Sequence, residues 1–328
     1  MYLNRRHTMH YTFNDYTPTI SQAEASFKID QLVDDALRRG ESAYIPQSRP
    51  DRPYRKTMLG ADLDYLSQML ALFDGRVDYD YSENLELFYD ACQDIRLEHV
   101  GRSYTCPDSE AGGSYLSEPE TMNLLLDRIR ELSKRDRYKR SCADRRYQTK
   151  RQSEDVRELV NKVMERYART LVLRLNFYYR ESARQRLTVE QVFADMNELV
   201  RARRTNPAFE HLVGYIIRVE QGEDRGFHIH AAFFFNGSER FRQFHVAERI
   251  GELWEAITNG RGYWHDSARE WVKRGGNDER RGTGMFQRSD EKGRYAVMEL
   301  MTYLVKDKGQ HLRIRPAGVR AYRTGCIR

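Results

Sequence analysis

His228-Ile229-His230 opens one apolar segment, and Glu220 closes the segment before it. The chain reads Val213-Gly-Tyr-Ile-Ile-Arg-Val-Glu220, passes through a polar turn from Gln221 to Gly226, and continues Phe227-His-Ile-His-Ala-Ala-Phe-Phe-Phe235. Residues two apart on a strand share a face, so His228 and His230 project side by side while Phe227, Ile229, Ala231 and Phe233 point to a core. A hairpin brings Glu220 across from them if it pairs in even register. Glu223 and Asp224 in the turn compete for the carboxylate role. Two neutral imidazoles and a carboxylate form a mixed nitrogen and oxygen site, open on one side and suited to a divalent metal ion.

A nucleophile candidate lies downstream in Leu300-Met301-Thr302-Tyr303-Leu304-Val305-Lys306. At 100° per residue Val297, Leu300, Met301 and Leu304 fall on one stripe, which predicts the buried face of a helix. Tyr303 lies about 120° from that stripe, where its hydroxyl reaches solvent. Lys306 follows at i+3, a helical neighbour that would hold an anion or favour a phenolate.

The histidine pair on an apolar strand, followed by hydrophobic-x-x-Tyr-hydrophobic-x-Lys on a helix, resembles the HUH nucleases, which comprise rolling-circle initiators and relaxases. The strand Leu171-Val-Leu-Arg-Leu-Asn176-Phe177 fits a weaker third signature. Ile257-Thr-Asn-Gly-Arg-Gly-Tyr263, Gly282-Thr-Gly-Met285 and Tyr303-Leu-Val-Lys-Asp-Lys-Gly-Gln-His-Leu312 look like the gene-II-type replication initiators of inoviruses, the filamentous phages, over roughly residues 155 to 325. The resemblance implies an antiparallel palm-like sheet with the metal on its central strands. It implies further that Glu220, His228 and His230 hold Mg2+ or Mn2+, that Tyr303 attacks a DNA phosphate to give a 5′-phosphotyrosine, and that a 3′-OH is released to prime synthesis. Single-stranded or origin DNA is then the substrate, with Arg174, Asn176, Arg218, Lys308, Arg313 and Arg315 as expected contacts. A helicase and replication proteins of the host or element are expected partners, because no Gly-x-x-x-x-Gly-Lys-Ser/Thr motif is present. Competing readings are a prophage regulator that binds DNA without chemistry, and a plasmid relaxase or transposase of the same superfamily.

The elements that must position these residues follow from pattern and punctuation. Strands are predicted over 171 to 179, 212 to 220 and 227 to 235, and helices over 154 to 169, 188 to 203, 239 to 257 and 291 to 306. Thr188-Val-Glu-Gln191 reads as a capping box, and Phe241, Phe244, Ile250, Trp254 and Ile257 read as one buried stripe. The expected fold is α+β, an antiparallel sheet with helices on one face and the other free for DNA. Helical spacing near 21 to 39, 60 to 73, 82 to 97 and 118 to 135 predicts a small helical N-terminal domain at 1 to 136. A basic linker at 137 to 153 and the endonuclease domain at 154 to 328 follow.

Charge supports this division. Residues 1 to 136 carry 16 Lys and Arg against 24 Asp and Glu, net −8, whereas 137 to 328 carry 39 against 25, net +14. A basic half needs a polyanionic partner, and nucleic acid fits better than a membrane surface because no basic amphipathic anchor accompanies it. Within Arg137 to Arg151 seven of fifteen residues are basic, with Tyr138 and Tyr147 among them. That stretch reads either as a DNA-contacting linker or as a solvated one. Four scattered cysteines without a Cys-x-x-Cys pair fit free thiols in a reducing compartment. No run of 18 apolar residues and no signal-peptide pattern occurs, so no membrane role and the cytoplasm of a bacterial host are expected. His211, His245, His265 and His311 read as structural.

Overall fold

Two kinds of apolar periodicity build this chain, helical in its first part and alternating in its second. A computed structural model describes residues 19–109, 112–274, 282–306 and 311–326. It divides into two compact units, residues 1–20 with 24–141, and residues 21–23 with 142–328.

The first unit is built from helices α1 (Gln22–Arg39), α2 (Glu83–Asp94) and α3 (Glu118–Ser133) around a core in which Ile29, Leu32, Val33, Phe88, Leu125 and Ile129 are fully buried. Ser117 and Glu120 form a complete capping box at the start of α3. The helical domain expected here also carries two small antiparallel hairpins, Tyr44–Pro46 with Tyr54–Lys56 and Glu98–Val100 with Ser103–Thr105.

The basic stretch 137–153, expected to be a linker, is helical. It forms the first half of α4 (Asp136–Arg166), a 31-residue helix containing neither Gly nor Pro, and the boundary between the two units falls within it. Arg, Lys, Gln and Ala are strong helix formers, so dense charge here sits on a helix surface and does not signal an irregular chain. Only its second half carries an apolar stripe, Val156, Leu159, Val160, Val163 and Met164.

The second unit is an α+β fold on an antiparallel sheet. Its strands are β1 (Arg169–Tyr179), β2 (Leu212–Gly222), β3 (Gly226–Asn236), β4 (Gly262–Asp266), β5 (Gly284–Gln287) and β6 (Tyr322–Cys326). The spatial order is β6, β2, β3, β1, and the outer edge of β1 is shared by β5 along its first half and β4 along its second. One face is covered by α5 (Val189–Ala202) and α6 (Gln243–Ile257), and the short α7 (Ser267–Lys273) follows β4. Trp254 of α6 stands 5.0 Å from Phe177 and 5.5 Å from Tyr179, ring centre to ring centre. The Tyr179 hydroxyl donates to the buried Asp195 carboxylate of α5 at 2.9 Å.

Helices lie on both faces, a correction to the expectation of one free face. Val172, Ile216, Ala232 and Phe234 share one core with the apolar stripe of α4 and with Val297, Met301 and Leu304 of α8 (Glu291–Val305). The physical reason lies in the sequence of that face, which is apolar along half its length and so needs cover. The α6 stripe also differs from expectation. Phe241 is 66% and Phe244 43% exposed, because the helix begins only at Gln243 and turns Val246, Ala247, Ile250 and Trp254 inward. At α5, Thr188 accepts the Gln191 amide N–H as predicted, while the Gln191 side chain turns to Asp195 at 2.9 Å.

Strand β4, which the sequence pattern does not predict, is fixed by one close approach. A methyl group at Gly251 of α6 would sit 2.0 Å from the Trp264 ring, so only glycine lets the helix meet β4 there. Among the described residues no helix is long and apolar enough to cross a membrane.

Candidate metal centre

Antiparallel pairing sets the site, because residues directly opposite one another share a face. Glu220 pairs with His228 and Arg218 with His230 across β2 and β3. On the other side of β3, His230 pairs with Asn176 of β1. One row across the sheet therefore reads Tyr322, Arg218, His230, Asn176, His265. The adjacent row holds Glu220 beside His228, with the Tyr178 ring 5.6 Å from that imidazole and Tyr263 paired to Tyr178.

Glu220, His228 and His230 are brought together, with one donor atom from each within 4.8 Å of the others. The even register selects Glu220 over Glu223 and Asp224, which are exposed in the turn. The site lies deep, with His228 3% and Glu220 6% exposed. His228 Nδ1 donates to the Gly226 carbonyl at 3.0 Å, and His230 Nδ1 donates to Asn176 Oδ1 at 2.5 Å. Both Nε2 atoms therefore turn to Glu220 Oε2, at 3.8 and 3.2 Å. Burial, reinforced by the neighbouring His230, pushes the His228 imidazole down to about 4, so it is neutral at pH 7 and offers a lone pair. Burial alone would raise the Glu220 carboxyl, but its contact with His230 and the charge of Arg218 outweigh it and hold the group below its ordinary value.

These donors fit a cation. Two acceptor nitrogens and a carboxylate oxygen facing one another repel unless a proton or metal ion lies between them, and about 3 to 4 Å is the donor spacing around an ion bound at roughly 2.1 Å. The outer contacts fit as well, since each imidazole is oriented through its far nitrogen. Arg218 forms an ion pair with Glu220, Nε lying 3.2 Å from Oε1, and its Nη1 is buried without a hydrogen-bond acceptor. Arg174, two residues before Asn176 on the same face, leaves Nε equally unanswered. Two buried donors lacking acceptors beside a cation site suit an anionic oxygen.

Tyr303 stands on α8, over the same face. Val297 and Met301 are fully buried and Leu304 nearly so, while Tyr303 is 49% exposed, the orientation its helical spacing predicts. Its ring lies 5.8 Å from the Arg174 guanidinium, a group whose charged form burial disfavours. Tyr303, Tyr295 and Arg174 line a cavity of about 1120 Å3 that extends to Ser267 and Trp271. Ser267 Oγ in turn accepts from Asn176 Nδ2 at 3.4 Å, so the cavity wall adjoins the residue that orients His230. Lys306 is exposed and forms the C-cap of α8, its backbone N–H donating to the Tyr303 carbonyl at 3.3 Å.

The expected DNA contacts divide. Arg174, Asn176 and Arg218 lie on the site face. Arg313 does not serve such a surface, for it is 2% exposed and its guanidinium donates to the carbonyls of Gln221 and His311, both at 3.2 Å. A count of basic residues registers charge and not burial, which is why the sequence misplaces it. Arg315 is half-buried, and Lys308 lies outside the described residues. The sequence reading missed Tyr263 and His265, which share the site face through β4. Their signal was the alternation Tyr263-Trp264-His265 in a strand of only five residues.

Residues 134–260, about two fifths of the chain, match the YagK/YfjJ C-terminal domain family. The matched segment takes in β1, β2 and β3 with Glu220, His228 and His230, and ends before Tyr303. No curated protein and no solved structure matches the chain.

Proposed function

We propose that this protein nicks and rejoins single-stranded DNA by metal-assisted transesterification, in the manner of an HUH endonuclease that initiates rolling-circle replication of a phage or prophage element. The observation that carries the reading is the convergence of Glu220, His228 and His230, with both imidazoles locked through Nδ1, on the sheet face over which Tyr303 stands beside Arg174. A divalent ion, Mg2+ or Mn2+, held by the three side chains would neutralise a phosphate oxygen and orient the phosphorus.

The chain's own residues do the rest. Arg174 and Arg218 direct donors at the charge of the phosphate. Tyr303 Oη attacks phosphorus, the bond to the 3′ oxygen breaks, and the 5′ phosphate remains on the tyrosine while the 3′ oxygen leaves as a hydroxyl. One phosphoester replaces another, so attack by a 3′-OH on the adduct reseals the strand. The basic balance of residues 137–328 suits the polyanion. The test is incubation of the full-length protein with single-stranded oligonucleotides from its own element and Mn2+. A covalent protein–DNA adduct that disappears in Tyr303→Phe is expected. Cleavage without an adduct, or no cleavage at all, would refute the mechanism.

A further inference from the structure

We propose that Tyr263 and His265 form a stacking subsite for an unpaired base of the strand whose phosphate is processed at the Glu220, His228 and His230 cluster. The inference rests on the reading above and names where the substrate strand lies.

The sheet register places both residues. Tyr263 pairs with Tyr178 and His265 with Asn176, so both side chains emerge on the face that carries the histidine pair. Strand β4 is two strands removed from β3, about 10 Å at ordinary strand spacing. That distance is short enough for a base flanking the bound phosphate to reach. Between them the rings are continuous. Tyr178 lies 5.6 Å from His228, 5.3 Å from Tyr263 in a stacked arrangement, and 5.4 Å from His265 edge-on.

Packing does not account for this group. Trp264, the residue between them, points the opposite way and docks β4 against Gly251 of α6. Tyr263 and His265 are thus not needed to hold the strand, and both remain half-exposed, with 39% of the His265 side chain accessible. Tyr178 beneath them is buried and forms the floor. Arg225 in the hairpin turn is exposed and carries its guanidinium 4.5 Å over the Tyr178 ring, a cation beside the aromatic surface. Glu270 Oε1 lies 3.8 Å from His265 Nδ1.

Half-exposed rings next to an arginine and a phosphate-directed site match the chemistry of a single strand, whose bases offer free π faces. Bases of a duplex already stack on one another and offer none. The same face continues from His265 to Ser267, which borders the Tyr303 cavity, so a strand lying there would run from the nucleophile past the metal ligands to Tyr263.

The test uses the full-length protein and a short oligothymidylate, with 5-iodouracil in place of thymine for photocrosslinking. Crosslinks are expected on the peptide containing residues 262–266. The double variant Tyr263→Leu/His265→Leu should bind the oligothymidylate about five- to a hundredfold more weakly, the effect of losing stacking on one base. Tyr263→Phe should bind as wild type, and duplex binding should be unchanged in all variants. Wild-type affinity in the double variant, or crosslinks confined to other peptides, would overturn the proposal. If the double variant fails to fold, the wild-type crosslinks decide alone. Absence of a Tyr303 adduct would defeat the nicking reading, and the binding and crosslinking results would still judge the subsite separately.

Discussion

His230 is held by Asn176, whose side-chain carbonyl accepts the imidazole Nδ1 proton at 2.5 Å from a residue 54 positions away in sequence. The contact fixes the tautomer and aims Nε2 at Glu220, 3.2 Å away. An orientation enforced from the neighbouring strand distinguishes a prepared ligand from a histidine that merely fills space.

Asn176→Ala should therefore lower Mn2+ affinity about 10- to 100-fold without removing any ligand. Asn176→Asp, which keeps the acceptor, should lose much less. Isothermal titration with the metal alone reads both. Equal losses in the two variants would remove the orienting role.

His228→Ala with His230→Ala should abolish divalent-dependent cleavage, and chelation of wild type should do the same. Glu220→Ala should weaken cleavage, since the two imidazoles remain. Gel assays of a labelled single strand give the comparison, and normal cleavage by the double histidine variant would end the metal assignment.

Tyr303→Phe removes one oxygen from a half-exposed side chain and leaves the apolar stripe of α8 intact. The adduct should vanish while DNA affinity stays within a few fold. Mass spectrometry of the wild-type adduct identifies the attached residue directly. A nucleotide on Tyr295, which is 70% exposed on the same cavity, would transfer the role to it.

Gly251→Ala should destabilise the fold by about 1 to 3 kcal/mol, because the added methyl meets the Trp264 ring at 2.0 Å and β4 must shift. Chemical denaturation measures the loss. Trp264→Ala in the same background should restore part of what the glycine substitution removes, and failure to do so would show that the strain lies elsewhere.

The strands of the sheet centre were legible because their side chains alternate, and with them the shared face of His228, His230 and Glu220. Parity alone then picked Glu220 from three nearby carboxylates. The helix of Tyr303 was legible from its apolar stripe. Other features were hidden for physical reasons. Strand β4 is too short to show a period, and its two site-facing residues flank the tryptophan that does the packing. In α4, charge density masked helical propensity. Arg313 has the same composition signature as an exposed arginine, and only the carbonyls of Gln221 and His311 reveal that it is internal.

The pleat that aligns Glu220 with His228 also constrains how this chain can change length. Deleting or inserting one residue within β2 or β3 would turn every side chain beyond that point to the opposite face, so the cluster would be lost at once and not by degrees. The exposed turn at 223–225 carries no such parity, provided the strands keep their pairing. Among descendants of this sequence, length variation should therefore collect in that turn and spare the strands on either side, whatever happens to the individual residues.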